Sequence, residues 1–160
     1  MSLGPPGGVL ACCQNTEHPL GNVTRRRLPD IWHGARAEAL RHALEGYDLG
    51  RGCRFCAWQV DDGHPEAADL HGFDGLRVEE RRPAWPRRLE LALSNTCNLE
   101  CVMCNGEWSS MIRSRREGRA PLPRAYGDEF FEDLGPFLPR PDEARFLGGE
   151  PFLAAETLRV

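Results

Sequence analysis

Leu89-Glu-Leu-Ala-Leu93-Ser-Asn-Thr-Cys97-Asn-Leu-Glu-Cys101-Val-Met-Cys104 is the stretch on which the fold turns. Leu89, Leu91 and Leu93 alternate with Glu90 and Ala92, the two-residue period of a strand. The strand runs straight into Ser94-Asn95-Thr96 and a cysteine loop of spacing C-x3-C-x2-C. A chain reaches at most about 3.5 Å per residue, so three neighbouring thiolates converge only if the loop wraps one compact centre. Thiolate sulfur suits iron–sulfur clusters, zinc or copper(I). A cubane cluster normally takes four thiolates. Three local ones leave one iron open, and an open position is what a catalytic centre needs.

Beyond the loop, the sequence predicts a helix near residues 108–116 and another over 128–138. Phe130, Phe131, Leu134, Phe137 and Leu138 of the second recur at helical spacing and should face inward. Residues 144–147 read as a second, buried strand ending at Gly148-Gly149-Glu150-Pro151. Glycines let a backbone approach a ligand closely, and Glu150 can accept hydrogen bonds from an ammonium. Residues 87–160 are therefore strand–helix–strand, the unit of a parallel α/β sheet or barrel.

Upstream, residues 4–8 are rich in Gly and Pro and read as loose, and Val9-Leu10-Ala11 reads as a short strand feeding Cys12 and Cys13. Pro29-Asp30 marks a helix start. Ile31, Trp32, Ala35, Ala39, Leu40, Ala43, Leu44 and Tyr47 then give one apolar face, with Gly46 as the stop. Cys53 and Cys56 fall in a Gly/Arg-rich loop as a C-x2-C half-site for zinc or iron–sulfur. Arg25-Arg26-Arg27 reads as a solvated charge run. Residues 61–86 change to Asp, Gly, His, Pro and Glu with weak periodicity, which reads as a linker carrying exposed His64 and His71. The division expected is 1–60, a cysteine-rich module; 61–86, a linker; and 87–160, the strand–helix–strand portion.

The loop Cys97-Asn-Leu-Glu-Cys101-Val-Met-Cys104 and the tetrapeptide Gly148-Gly149-Glu150-Pro151 resemble the CxxxCxxC and GGEP motifs of the radical S-adenosylmethionine (SAM) superfamily. The resemblance implies the opening β-α-β portion of a partial (β/α)6 TIM barrel. It also implies a [4Fe–4S] cluster on Cys97, Cys101 and Cys104. SAM would chelate the open iron through its amino and carboxylate groups. Reductive cleavage of SAM would release methionine and a 5′-deoxyadenosyl radical that takes a hydrogen atom from a peptide or small-metabolite substrate. Met103 stands where an aromatic residue is common, and a Met still packs against an adenine ring. Gly148, Gly149, Glu150 and Pro151 would complete the SAM-binding set. An electron donor such as flavodoxin or ferredoxin is implied as a partner. The family's barrel has six strand–helix units, so this chain is expected to be a fragment that does not turn over alone. Apolar surface at Phe146, Leu147, Phe152 and Leu153 should then lie open.

The N-terminal text, Gly21-Asn22-Val23, Ile31-Trp32, Gly46-Tyr-Asp48 and Cys53-Arg-Phe-Cys56, resembles the SPASM module of such enzymes. It implies an auxiliary iron–sulfur cluster on Cys13, Cys53 and Cys56. Cys12 is the alternative to Cys13, since adjacent residues are awkward ligands to one cluster. The rival readings are a zinc-stapled binding module and an iron–sulfur electron carrier without SAM.

Composition narrows the classes further. Net charge is −4 and all 20 Lys+Arg positions are arginine, so nothing in the balance invites nucleic acid or anionic lipid. No apolar run approaches membrane-spanning length. Seven cysteines, an odd number in short-spaced groups, suit a metal or cluster in a reducing cytoplasm better than a disulfide framework.

Overall fold

The computed structural model describes residues 1–63, 66, 69–76, 78 and 80–160. It is a mixed α/β structure built on one five-stranded sheet. Strands β1 (Ser2–Leu3), β2 (Gly8–Leu10), β3 (Gly21–Asn22), β4 (Arg88–Leu91) and β5 (Glu143–Phe146) stand in the order β3-β2-β1-β4-β5. The β3-β2-β1 side is antiparallel, whereas β1-β4 and β4-β5 are parallel. Three strands therefore come from the cysteine-rich N-terminal segment, and one of them, β1, pairs with the strand that leads into the cysteine loop. Residues 4–8 are not loose. Gly7 N–H donates to Gly4 O (2.8 Å) and Gly4 N–H to Gly8 O (2.9 Å), closing the turn between β1 and β2. Gly7 has φ +84°, which a glycine adopts without penalty.

Directly paired residues share a sheet face, so Val9, Leu3, Leu89 and Leu91 line one side. They form a single core with Leu28 and Ile31 of α1 (Leu28–Trp32) and Phe130 and Leu134 of α5 (Asp128–Leu134), together with Phe137. The predicted long N-terminal helix is two helices, α1 and α2 (Ala35–Glu45), broken at His33-Gly34. The break resets the helical phase. Ala37, Leu40 and Ala43 turn inward, whereas Ala35, Leu44 and Tyr47 are exposed. Tyr47 has the positive φ of 56° that ends the segment.

The opposite face of β4 is charged yet covered. Arg88 pairs with Glu143 (2.6 Å), bonds Gly72 O and lies over the Phe73 ring, 4.6 Å from its centroid. Parts of the segment read as a linker pack back in this way, and Trp32 Nε1 donates to Pro83 O (3.1 Å). His71 is exposed as expected, and the expectation for His64 lies outside the described residues. Arg27 is not merely solvated: it binds the buried Asp133 carboxylate of α5. The strand β5, expected to be buried, is exposed along most of its length because it has β4 on one side only among the described residues. Phe146, Leu147, Phe152 and Leu153 stand open to solvent. No helix among the described residues is long and apolar enough to cross a membrane.

Candidate functional site

Two cysteine sets lie at the ends of short elements. In the first, buried Asn95 follows β4 and pins the base of the loop. Its Nδ2 donates to Gly106 O (3.0 Å) and its carbonyl accepts from Ser110 N (2.7 Å). Residues 97–104 are thus an excursion closed at its neck. Helix α4 (Ser110–Arg115) then stitches the excursion down. Ser110 Oγ accepts from Cys97 N (3.0 Å) and donates to Cys97 O (3.1 Å). Ser109, fully buried, caps α4 by accepting from Ile112 N and donates its own hydroxyl to Leu99 O (2.8 Å). The serines fulfil ordinary N-terminal helix duties while holding the loop. Gly106 N–H donates to Glu117 Oε1 (2.7 Å), and this bond, with Arg119 and Arg113 nearby, holds the Glu117 carboxyl below its usual range. The Cys101 thiol is exposed, and those of Cys97 and Cys104 are half-buried. Val102 and Met103 are almost fully exposed.

The Gly148–Pro151 segment lies against the start of this loop. The β4–β5 ladder continues past its last paired residues: Leu147 N donates to Leu91 O (3.0 Å), Gly149 N to Ser94 O (3.2 Å) and Glu150 N to Thr96 O (2.7 Å). Two regions separated by most of the C-terminal half thereby meet just before Cys97. A Cβ on Gly148 would stand 2.5 Å from Ser94 O, and one on Gly149 would stand 2.3 Å from Thr96 O. Only glycine admits this approach. Glu150 accepts from Phe152 N (3.3 Å) and caps the 3₁₀ turn Pro151–Leu153. A recess of about 290 Å³ opens beside the loop, lined by Ser94, Thr96, Ser110, Arg113, Arg124 and Leu153 among others.

The second set uses a helix that sequence reading missed. Cys53 and Cys56 lie not in a loop but at the start of α3 (Arg54–Asp61), Cys53 as the N-cap and Cys56 in the first turn. It is only eight residues long and none of them is buried. The N-terminal end of a helix favours thiolate over thiol. Partial burial raises the Cys53 thiol pKa, and the nearby Cys12 and Cys56 raise it further, while a hydrogen bond from Asn15 opposes them. Cys12 therefore lies within electrostatic reach of Cys53. Cys13 is exposed and within such reach of Arg145 and the Met1 amine. Cys12, the alternative to Cys13 in the expected ligand set, is half-buried.

Among the described residues, no three His, Cys, Asp or Glu side chains close on one point as they would around a single ion. A cubane places its ligands on separate irons, so its thiolates need not meet. Both sets are sulfur-only and none of their cysteines is buried, donor chemistry that fits an iron–sulfur cluster.

Residues 1–57 match SPASM, an iron–sulfur cluster-binding domain associated with radical SAM enzymes. The matched segment contains Cys12, Cys13, Cys53 and Cys56. Neither a curated protein nor a solved structure shows significant similarity to the chain.

Proposed function

We propose that the chain is part of a radical SAM enzyme acting on a peptide or small metabolite. In this reading Cys97, Cys101 and Cys104 would hold a [4Fe–4S] cluster with one open iron, and Cys53 and Cys56, with Cys13 or Cys12, would hold an auxiliary cluster. A cluster held by Cys97, Cys101 and Cys104 would supply the electron for reductive cleavage of SAM. The observation that carries the reading is the contact between Gly149-Glu150 and the Ser94–Thr96 backbone, directly before the first cysteine. A zinc-stapled module needs no such contact, and neither does a simple electron carrier.

In this proposal the chain's own residues have distinct tasks. Asn95, Ser109 and Ser110 fix the neck and flank of the loop, leaving the thiols to the ligand side. The Gly148-Gly149 backbone brings the Glu150 carboxylate to the loop's edge, where one of its oxygens is engaged by Phe152 N–H. The other can receive the ammonium of SAM. Strand β4 and its parallel neighbour β5 would be the first two strands of the partial barrel, with the site at their C-terminal ends, where barrel active sites lie. The match to SPASM over residues 1–57 supports the auxiliary cluster.

The test is anaerobic reconstitution with iron and sulfide, followed by electron paramagnetic resonance of the reduced protein with and without SAM. We expect iron and sulfide at both sites and a signal that changes on adding SAM. The change should vanish when Cys97, Cys101 and Cys104 are all replaced by Ala. A signal indifferent to SAM, or bound zinc in place of iron, would overturn the proposal.

A further inference from the structure

Asn15 is a polar side chain with 1% of its surface exposed, set between the two segments that carry the N-terminal cysteines. Its backbone N–H donates to Cys12 O (3.2 Å), which ties it to the first segment. Its side chain reaches the second. Nδ2 donates to Arg51 O (3.1 Å) and faces Cys53 Sγ at 3.6 Å. Oδ1 accepts from His18 N (3.2 Å). These partners fix the amide's orientation. Oδ1 must face the His18 N–H and Nδ2 the Arg51 carbonyl, because the flipped amide would set donor against donor and acceptor against acceptor. One N–H of Nδ2 goes to Arg51 O, and the other is left for the sulfur.

The surrounding chain is shaped around this side chain. Gly52 has φ +75°, and a Cβ there would stand 2.1 Å from Asn15 Oδ1. A residue with a side chain at position 52 would displace the amide from Cys53. Asn15 therefore does more than fill space: its donor is held on the sulfur by three further hydrogen bonds and a glycine.

We propose that Asn15 is a positioning residue for the N-terminal centre, donating an N–H···S hydrogen bond to Cys53 that orients the sulfur and raises the centre's reduction potential. The inference rests on the reading of Cys53 and Cys56, with Cys13 or Cys12, as iron–sulfur ligands. A donor on a cluster sulfur stabilises the reduced, more negative state, and hydrogen bonding to sulfur is one of the levers that sets cluster potentials.

The experiment uses the full chain with Cys97, Cys101 and Cys104 replaced by Ala, reconstituted with iron and sulfide and titrated with dithionite. Metal analysis comes first. Zinc or no iron in this protein defeats the iron–sulfur reading and the inference with it. With iron bound, Asn15→Leu and Asn15→Asp should both retain a cluster and shift its midpoint potential downward, the aspartate further because it adds negative charge. A purely packing role would lower iron content or unfolding temperature and leave the potential unchanged, which overturns the inference while the cluster assignment stands. A second measurement covers variants that fail to fold. Protein carrying asparagine labelled with ¹⁵N in the side chain should show nitrogen coupling to the reduced cluster by pulsed paramagnetic resonance. Absence of that coupling also overturns the proposal.

Discussion

At position 149 the structure leaves no room for a methyl group. The obstacle is Thr96 O at 2.3 Å, with Thr96 C and Asn95 C behind it, all backbone held by the ladder that continues β4. A flexible side chain could move aside, but this segment cannot without losing the Glu150 N–Thr96 O bond. We expect Gly149→Ala to cost about 1–3 kcal/mol, the usual range for overpacking, measured by denaturant unfolding. Gly135→Ala, where the backbone is helical and a Cβ meets nothing within 4 Å, is the control and should be near neutral. Equal stabilities for the two variants would refute the packing argument. Sequence made the glycine pair and Glu150 stand out, but the backbone atoms they pack against belong to a distant segment. Asn15 gave no signal in sequence, since a lone asparagine between cysteines reads as a turn residue. Its role follows from a 36-residue reach to Arg51.

Among the elements, α5 and the 3₁₀ turn Gly135–Phe137 after it were legible because Phe130, Leu134 and Phe137 repeat at helical spacing and enter the observed core, although the α-helix expected over 128–138 ends at Leu134. The charge buried within that helix was not. Asp133 accepts from Arg27 Nε (2.8 Å) and from Leu28 N (3.0 Å), fastening the start of α1 to α5. A buried carboxylate inside an apolar helix face has no periodic signature, and its partner sits in what sequence presents as a charge run. The Arg27 guanidinium holds the Asp133 carboxyl below its usual range, aided by the Leu28 N–H. The folded state therefore takes up this proton at lower pH than the unfolded chain does. The stability it gives is present above the ordinary Asp value of about 4 and drains away as pH falls through the folded value. We expect Asp133→Asn to lose about 2 kcal/mol at neutral pH, in the range for hydrogen bonds to charged groups. The gap from the unsubstituted protein should close on acidification toward pH 3. Urea midpoints across that range provide the check, and a gap independent of pH would count against the ion pair. At the cysteine loop, Ser109→Ala removes both the cap on α4 and the bond to Leu99 O. A cost of about 1–2 kcal/mol is expected from the cap, measured as loss of unfolding free energy in urea.

At the scale of the molecule, the sheet binds the N-terminal segment to the strand before the Cys97 loop. Sequence could not reveal this, because β1 is two residues long and its pairing partner lies beyond the cysteine-rich region and the segment that follows it. The bonds are specific: the Met1 amine donates to Arg88 O (2.8 Å), Glu90 N to Met1 O (2.9 Å) and Ala92 N to Leu3 O (2.9 Å). Leu3 and Val9 share one core with Leu89 and Leu91, all fully buried. Pulling the first 57 residues away would expose the backbone edge of β4 and part of that core, the kind of open edge that proteins avoid. The two cysteine sets should therefore unfold together. In rising urea, amide exchange at Val9 in β2 and at Leu91 in β4 should converge on one opening free energy, as expected of one cooperative unit. Protection at Leu91 persisting where Val9 exchanges freely would mean that the two segments are independent. Convergence would mean that a disturbance at either cysteine set reaches the other through β1 and β4.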